Sequence, residues 1–215
     1  MVYDSDGREQ ETDLVTPSAH ITPSKIRRLR QDAGGLICVT VPPKTWKKLG
    51  LPYLHDIFQH STSEYPILSE MKADDIPYDE KSTFSLSVNH RDTFTGITDI
   101  DRALTIKRFA ELGEEMSERN DKEASGLFGK EFRTPGHVFL LNATEGLIEN
   151  RMGHTELTTA ILSETDLYPS MTICEMLSDD GGSLPEEEAR KYGKEHDIPL
   201  IEGADIIEEW EEEYE

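Results

Sequence analysis

Two histidines stand in small-residue, polar settings: His137 follows Pro135-Gly136, and His154 follows Gly153 and precedes Thr155-Glu156. A glycine before each lets the backbone turn sharply or come close to a ligand, and imidazole changes its charge near neutral pH. Arg151 and Thr155 flank His154 with a guanidinium and a hydroxyl suited to phosphate oxygens. Either histidine alone is as well explained as a loop residue beside a strand; the pair, with Arg151 and Thr155 close by, marks a site. Glu175 interrupts the apolar run Ile173-Cys174-Glu175-Met176-Leu177. An acid there is costly to bury unless it is paired or titrates abnormally. Strand side chains alternate, so Glu175 shares a face with Ile173 and Leu177, which favours an inward position over an edge strand facing water. Near the start, residues 6–13 (Asp-Gly-Arg-Glu-Gln-Glu-Thr-Asp) form a turn crowded with charge, which composition alone reads as a solvated loop.

These residues need a frame. Residues 138–141 read as a buried strand between the two histidines, and residues 155–167 as a helix stopped by Pro169. Arg151 and Thr155 then lie at that helix's N-terminus, where free amides and the helix dipole favour phosphate. Earlier, residues 1–4 read as the end of a strand. Thr22-Pro23 starts a helix that Gly34-Gly35 stops. A strand over 36–41 ends at Pro42-Pro43 and a short helix follows over 44–49. Residues 51–81 are weakly patterned, and their His55, His60 and Tyr65 read as ordinary core or surface residues. Residues 84–88 alternate as a half-buried strand. Thr98 or Asp99 caps a helix over 100–112 that buries Ile100, Leu104, Ile106 and Phe109 and stops at Gly113. The polar stretch 114–130 reads as a mobile loop. Residues 171–177 are a strand, 179–182 a turn, 185–195 a helix, 199–201 a short strand, and 204 onward an acidic terminal helix. Strands mixed with helices, without strict alternation, predict an α+β fold over 1–215: one domain with a mixed β-sheet flanked by helices.

The chain has 44 acidic and 22 basic side chains among 215 residues, a formal charge of -22. That argues against a nucleic-acid or anionic-membrane partner, since both need a basic face. The excess acid fits either adaptation to a salty cytoplasm or a plain acidic soluble protein. Any phosphate pocket must supply cations or metal against this field. Cys38 and Cys174 lie in apolar runs, as buried small hydrophobes of a reducing compartment. No run is long enough to span a membrane and no signal peptide precedes the chain, so a cytoplasmic protein is expected.

The segments PGHVFLL, R-x-GHTE and ICEMLSDDG, with Arg8-Glu9-x-Glu11-x-Asp13 before them, occur in an order that resembles 3,4-dihydroxy-2-butanone 4-phosphate synthase of riboflavin biosynthesis. The resemblance runs from about Val2 to about His196, and the length of the 51–82 region is similar to the archaeal, single-function form. Family members often have glycine where Thr12 stands, and a β-branched residue resists positive φ. They also commonly carry a helix and further strand ahead of the acidic loop, so different packing around the first strand is expected.

The resemblance implies a lyase that converts D-ribulose 5-phosphate to L-3,4-dihydroxy-2-butanone 4-phosphate and formate, with Mg2+ or Mn2+ and two ions per site. It implies Glu9 and His154 as metal ligands. Arg151, Gly153 and Thr155 would hold phosphate, Arg8, Glu11 and Asp13 the sugar hydroxyls, and Glu9, Met152, His154 and Glu175 would also contact substrate. His137 and Glu175 would carry the proton transfers. It further implies a homodimer with sites at the subunit interface, where Thr95 reaches the partner's substrate. Two other classes stay open: a metal-dependent phosphosugar isomerase or aldolase, which releases no formate, and a sugar-phosphate binding protein without catalysis.

Overall fold

The computed structural model describes residues 1–5, 8–73, 75–79 and 81–214. Asp6 and Gly7 of the charged turn, Asp74 and Glu80 of the weakly patterned stretch, and the terminal Glu215 lie outside the described residues. Strands β1 (Val2–Tyr3), β2 (Thr12–Pro17), β3 (Cys38–Val41), β4 (Phe84–His90), β5 (Phe132–Asn142), β6 (Met171–Glu175) and β7 (Ile201–Glu202) form one sheet in the order β4-β5-β3-β6-β2-β1-β7. The β3–β5 and β1–β7 pairs are parallel and the other pairs antiparallel, so the sheet is mixed, as the sequence implies. Helices α1 (Pro23–Arg28), α2 (Pro43–Leu49), α3 (Leu54–His60), α4 (Ile67–Glu70), α5 (Asp99–Met116), α6 (Asp121–Glu131), α7 (His154–Ser163), α8 (Glu186–His196) and α9 (Gly203–Tyr214) flank it. Among the described residues, no helix is long and apolar enough to cross a membrane.

Strand alternation divides the core into two layers. On one face Val39, Val41, Leu140 and Cys174 pack against Ile26 of α1 and Ile106, Phe109 and Leu112 of α5. On the other, Cys38, Leu141 and Ile173 pack with Leu162 of α7, while Val2, Leu157 and Ala160 meet Ile206 of α9. The second face carries the site.

Several boundaries follow their caps. Thr22 accepts a hydrogen bond from Lys25 N at the start of α1, and the chain leaves the helical turn after it at Gly34, with φ 91°. Four expectations are corrected. Residues 121–131 are helical rather than a mobile loop: Asn120 caps Glu123 N, and Ala124 is buried while Leu127 and Phe128 pack against the core. Gly113 does not stop α5 but lies inside it, where an added Cβ would stand 2.1 Å from the Tyr168 ring. Ile100 is 69% exposed rather than core. Helix α7 ends at Ser163, ahead of the predicted 167, and Thr165 then bonds Leu162 O through both its N–H and its hydroxyl.

Candidate active site

The acidic loop joins β1 to β2, and Asp4 shapes it. Its two carboxylate oxygens accept from Glu9 N at 2.9 Å and Glu11 N at 3.0 Å. The left-handed turn falls at Gln10, φ 58°, while Thr12 lies in strand β2. The β-branched Thr12 therefore costs the loop nothing. Alternation along β2 turns Asp13 to the α7 side of the sheet, the face of Val15, and antiparallel pairing sets it directly opposite Glu175 of β6.

Helix α7 supplies the opposite wall. Gly153 is its N-cap and no side chain caps the first turn, so its amides remain available to an anion. An added Cβ on Gly153 would meet Arg151 Nη1 at 2.3 Å, so glycine there lets the guanidinium lie against the backbone. His154, 5% exposed, points back at the acidic loop. Its Nδ1 is 3.3 Å from Glu9 Oε2 and its Nε2 is 4.0 Å from Asp13 Oδ1. The latter two atoms are buried and have no hydrogen-bond partner.

The electrostatics follow from this burial. Burial pushes the Asp13 carboxyl up to about 7, with Glu175, Glu9 and Glu11 adding to the rise and His154 opposing it. Burial also opposes a charge on His154, but Asp13, Glu9 and Asp4 together overcome it and raise its pKa to about 9. The hydrogen bond from His154 holds Glu9 below the usual carboxylate range. Three acids thus converge on one imidazole, and their combined field favours a proton on it. Ligand atoms of Asp4, Glu9 and His154 lie within 4.8 Å of one another. The donor set of hard carboxylate oxygens and one imidazole suits a divalent cation, and beside it Asp13 Oδ1 and His154 Nε2 are buried without a hydrogen-bond partner.

Glu175 is held from the side. Leu36 N donates to its Oε2 at 2.7 Å. A Cβ on Gly35 would come within 2.4 Å of that oxygen, so only glycine admits the carboxylate there. Ladder pairing places Cys38 opposite both Ile173 and Phe139. Toward Glu175 that register shifts: Gly34 bridges Met176, and Gly35 N donates to Glu175 O at 3.1 Å.

Glu9, Glu11, Asp13, Arg151, His154, Thr155 and Glu175 line one cleft, floored by Cys38, Leu141 and Ile173. Arg8 stands behind it, donating to Asp79 at 3.1 Å. Met152 is 43% exposed and outside the cleft lining. His137 and Thr95 are exposed at the rim, also outside that lining. Sequence reasoning missed Tyr78, Asp79 and Lys81, which the weakly patterned stretch carries into the cleft, and Asp4. Asp79 takes Arg151 Nε at 2.6 Å, and Arg151 Nη1 donates to the fully buried Glu156. The polar cluster Tyr78-Asp79 and Lys81-Ser82-Thr83, set just before a strand, is the signal that could have found this segment.

A family model described as 3,4-dihydroxy-2-butanone 4-phosphate synthase matches residues 1–209. The chain is 49% identical over 210 residues to the 3,4-dihydroxy-2-butanone 4-phosphate synthase of Methanosarcina mazei, covering 96% of this chain and 83% of that one. It is 47% identical over 213 residues to that of Methanothermobacter thermautotrophicus, covering 99% and 90%. The fold is similar to a crystal structure of the Candida albicans synthase, with a TM-score of 0.71 and 27% identity over 96% of this chain and 88% of that one. A crystal structure of the synthase in complex with two magnesium ions shares the fold at TM-score 0.75 and 23% identity, over 98% and 89%.

Proposed function

The chain belongs to the 3,4-dihydroxy-2-butanone 4-phosphate synthase family, and from that premise we propose that it converts D-ribulose 5-phosphate to L-3,4-dihydroxy-2-butanone 4-phosphate and formate, a step of riboflavin biosynthesis. The observation that carries this reading is the meeting of Glu9, Asp13, Glu175 and His154 with the uncapped start of α7 in one cleft. It joins an acidic, metal-suited group to an anion-suited helix start in one cleft.

Each requirement of the reaction has a residue. Phosphate docks at the amides of His154 and Thr155 and at the Thr155 hydroxyl, with the Arg151 guanidinium beside it. Anchoring there keeps the substrate in register while its carbon skeleton rearranges. Glu9 and His154 hold the divalent ions, magnesium or manganese, with two per site; when bound, they supply positive charge beside the sugar oxygens. Glu11 and Asp13 accept hydrogen bonds from sugar hydroxyls, and Arg8 braces Asp79 over the cleft. Glu175 Oε2, fixed by Leu36 N, exchanges a proton with the carbon beside the ketone. His137, from the rim, exchanges a proton with a sugar oxygen.

The working unit is a homodimer. Phe94 is 94% exposed beside Thr95, with Ile97 at 49% and Ile100 at 69%, an apolar loop that a second copy would cover. Thr95 would then reach the partner's substrate. Incubation with D-ribulose 5-phosphate and magnesium, followed by assay for formate, tests the function; an isomerase or aldolase would release none.

A further inference from the structure

His137 sits where the β4–β5 ladder breaks. Val88 pairs with Val138, but the next residue, Asn89, pairs with Arg133, so residues 134–137 bulge out of β5. Three hydrogen bonds pin the bulge to β4: Thr134 Oγ1 to Ser87 O at 2.8 Å, Gly136 N to Ser87 Oγ at 3.1 Å, and His137 N to Asn89 Oδ1 at 2.8 Å. The bulge also presses on β4 so closely that a Cβ on Gly136 would stand 2.0 Å from Val88 C.

Asn89 makes a second contact, its Nδ2 lying 3.1 Å from His137 Nδ1. The first contact decides the second. The amide oxygen must face the His137 N–H, which only an acceptor can satisfy, so Nδ2 must face the ring. Nδ2 is a donor, so Nδ1 accepts. The neutral ring then carries its proton on Nε2, the nitrogen turned away from Asn89. The amide cannot move aside: Asn89 is 4% exposed, and Gly96, at φ 90°, packs on its other side so closely that a Cβ there would meet Nδ2 at 2.0 Å. Gly96 is itself held by Asp101, which accepts from its N–H at 2.8 Å.

We propose that Asn89, clamped by Gly96, is a positioning residue that fixes His137 as the Nε2–H tautomer, so that the ring meets substrate as a proton donor. This deepens the proton-transfer role proposed for His137 and rests on it. The loop bearing Thr95 thereby sets the histidine of its own subunit while reaching toward a second one.

The test is 15N NMR of histidine-labelled protein above pH 8, with the His137 signals assigned by their loss in His137→Gln. Wild type should show the Nε2–H pattern. Asn89→Asp is nearly isosteric and presents an acceptor to Nδ1, so it should shift the pattern to Nδ1–H. Formate release should then fall in kcat by about 10²-fold, the range of a general acid–base group, with KM within about twofold, because binding groups are untouched. Asn89→Ala, which places no charge in the buried site and imposes neither tautomer, should give an intermediate pattern and keeps the test open should the aspartate compromise folding. An unchanged tautomer in both folded variants overturns the proposal. A tautomer that shifts while kcat holds also overturns it as a functional device. If His137→Gln itself releases formate at the wild-type rate, the failure lies in the role assigned to His137, whatever the spectra of the Asn89 variants show.

Discussion

Arg151 donates from Nε to Asp79 Oδ2 at 2.6 Å, so the guanidinium beside the proposed phosphate site already has a carboxylate partner. Its Nη1 goes to Glu156, which is fully buried and has Thr144 N as another donor at 2.8 Å. Arg151 is therefore structural as well as a proposed phosphate ligand. Arg151→Ala strands a buried carboxylate and should lower stability by about 3 kcal/mol or more. It should also raise the apparent KM for ribulose 5-phosphate roughly tenfold or more, the worth of a charged hydrogen bond. Denaturant melts and kinetics on one preparation check both; an unchanged melt would contradict the buried pairing.

The His154 site predicts how the metal-free protein responds to pH. His154 is raised from 6.5 to about 9, so its stabilisation is complete below about 6.5 and is lost as pH rises through 9. Asp13, raised from 3.8 to about 7, acts in the same direction lower down, between about 4 and 7. The buried N-terminal amine, lowered from 8.0 to about 6, opposes them and gains stability over that interval. Comparison with His154→Gln removes the histidine together with its pull on Asp13, which then rises further. Between pH 6.5 and 9.5 wild type should lose on the order of 3 kcal/mol relative to the variant. Parallel pH profiles would remove the assigned charge from His154.

A formal charge of -22 predicts self-repulsion that salt relieves. Melting temperature should climb through a potassium chloride series. A flat or falling series would show that the acidic surface is already balanced by its local ion pairs.

Much of the fold was legible because its signals are local. Thr22 and Gly34 bound α1 and the turn after it, Pro42-Pro43 ends β3, and the apolar run before Glu175 is β6. Helix α6 was hidden because its packed face is small: Ala124, Leu127 and Phe128 among polar residues, with Phe128 stacked on Phe132 at 4.7 Å. Within the candidate site, residue types marked His154, Glu175 and the acidic loop. The partners that tune them did not show, because no pattern of residue types marks them. Asp79 reaches Arg151 from a stretch with no periodicity. Asp4 acts through backbone amides that sequence does not display. The position of His137 depends on a ladder break between Val88 and Asn89, which alternation alone cannot reveal.

Glu175→Gln separates chemistry from architecture. The amide keeps the shape and can still face Leu36 N through its oxygen, so melting temperature and ribulose 5-phosphate affinity should stay near wild type. Turnover should fall by about 10²-fold or more, as for a general acid–base group. Near-normal turnover in the folded variant would leave His137 as the remaining proton-transfer candidate.

The most direct measurement is the amount of formate released per D-ribulose 5-phosphate consumed, with magnesium present and again in excess chelator. The account predicts one formate per substrate with the metal and none without it, because the proposed reaction draws on a cation for which Asp4, Glu9 and His154 group suitable ligand atoms. Substrate consumed without formate, or bound without being consumed, would contradict it.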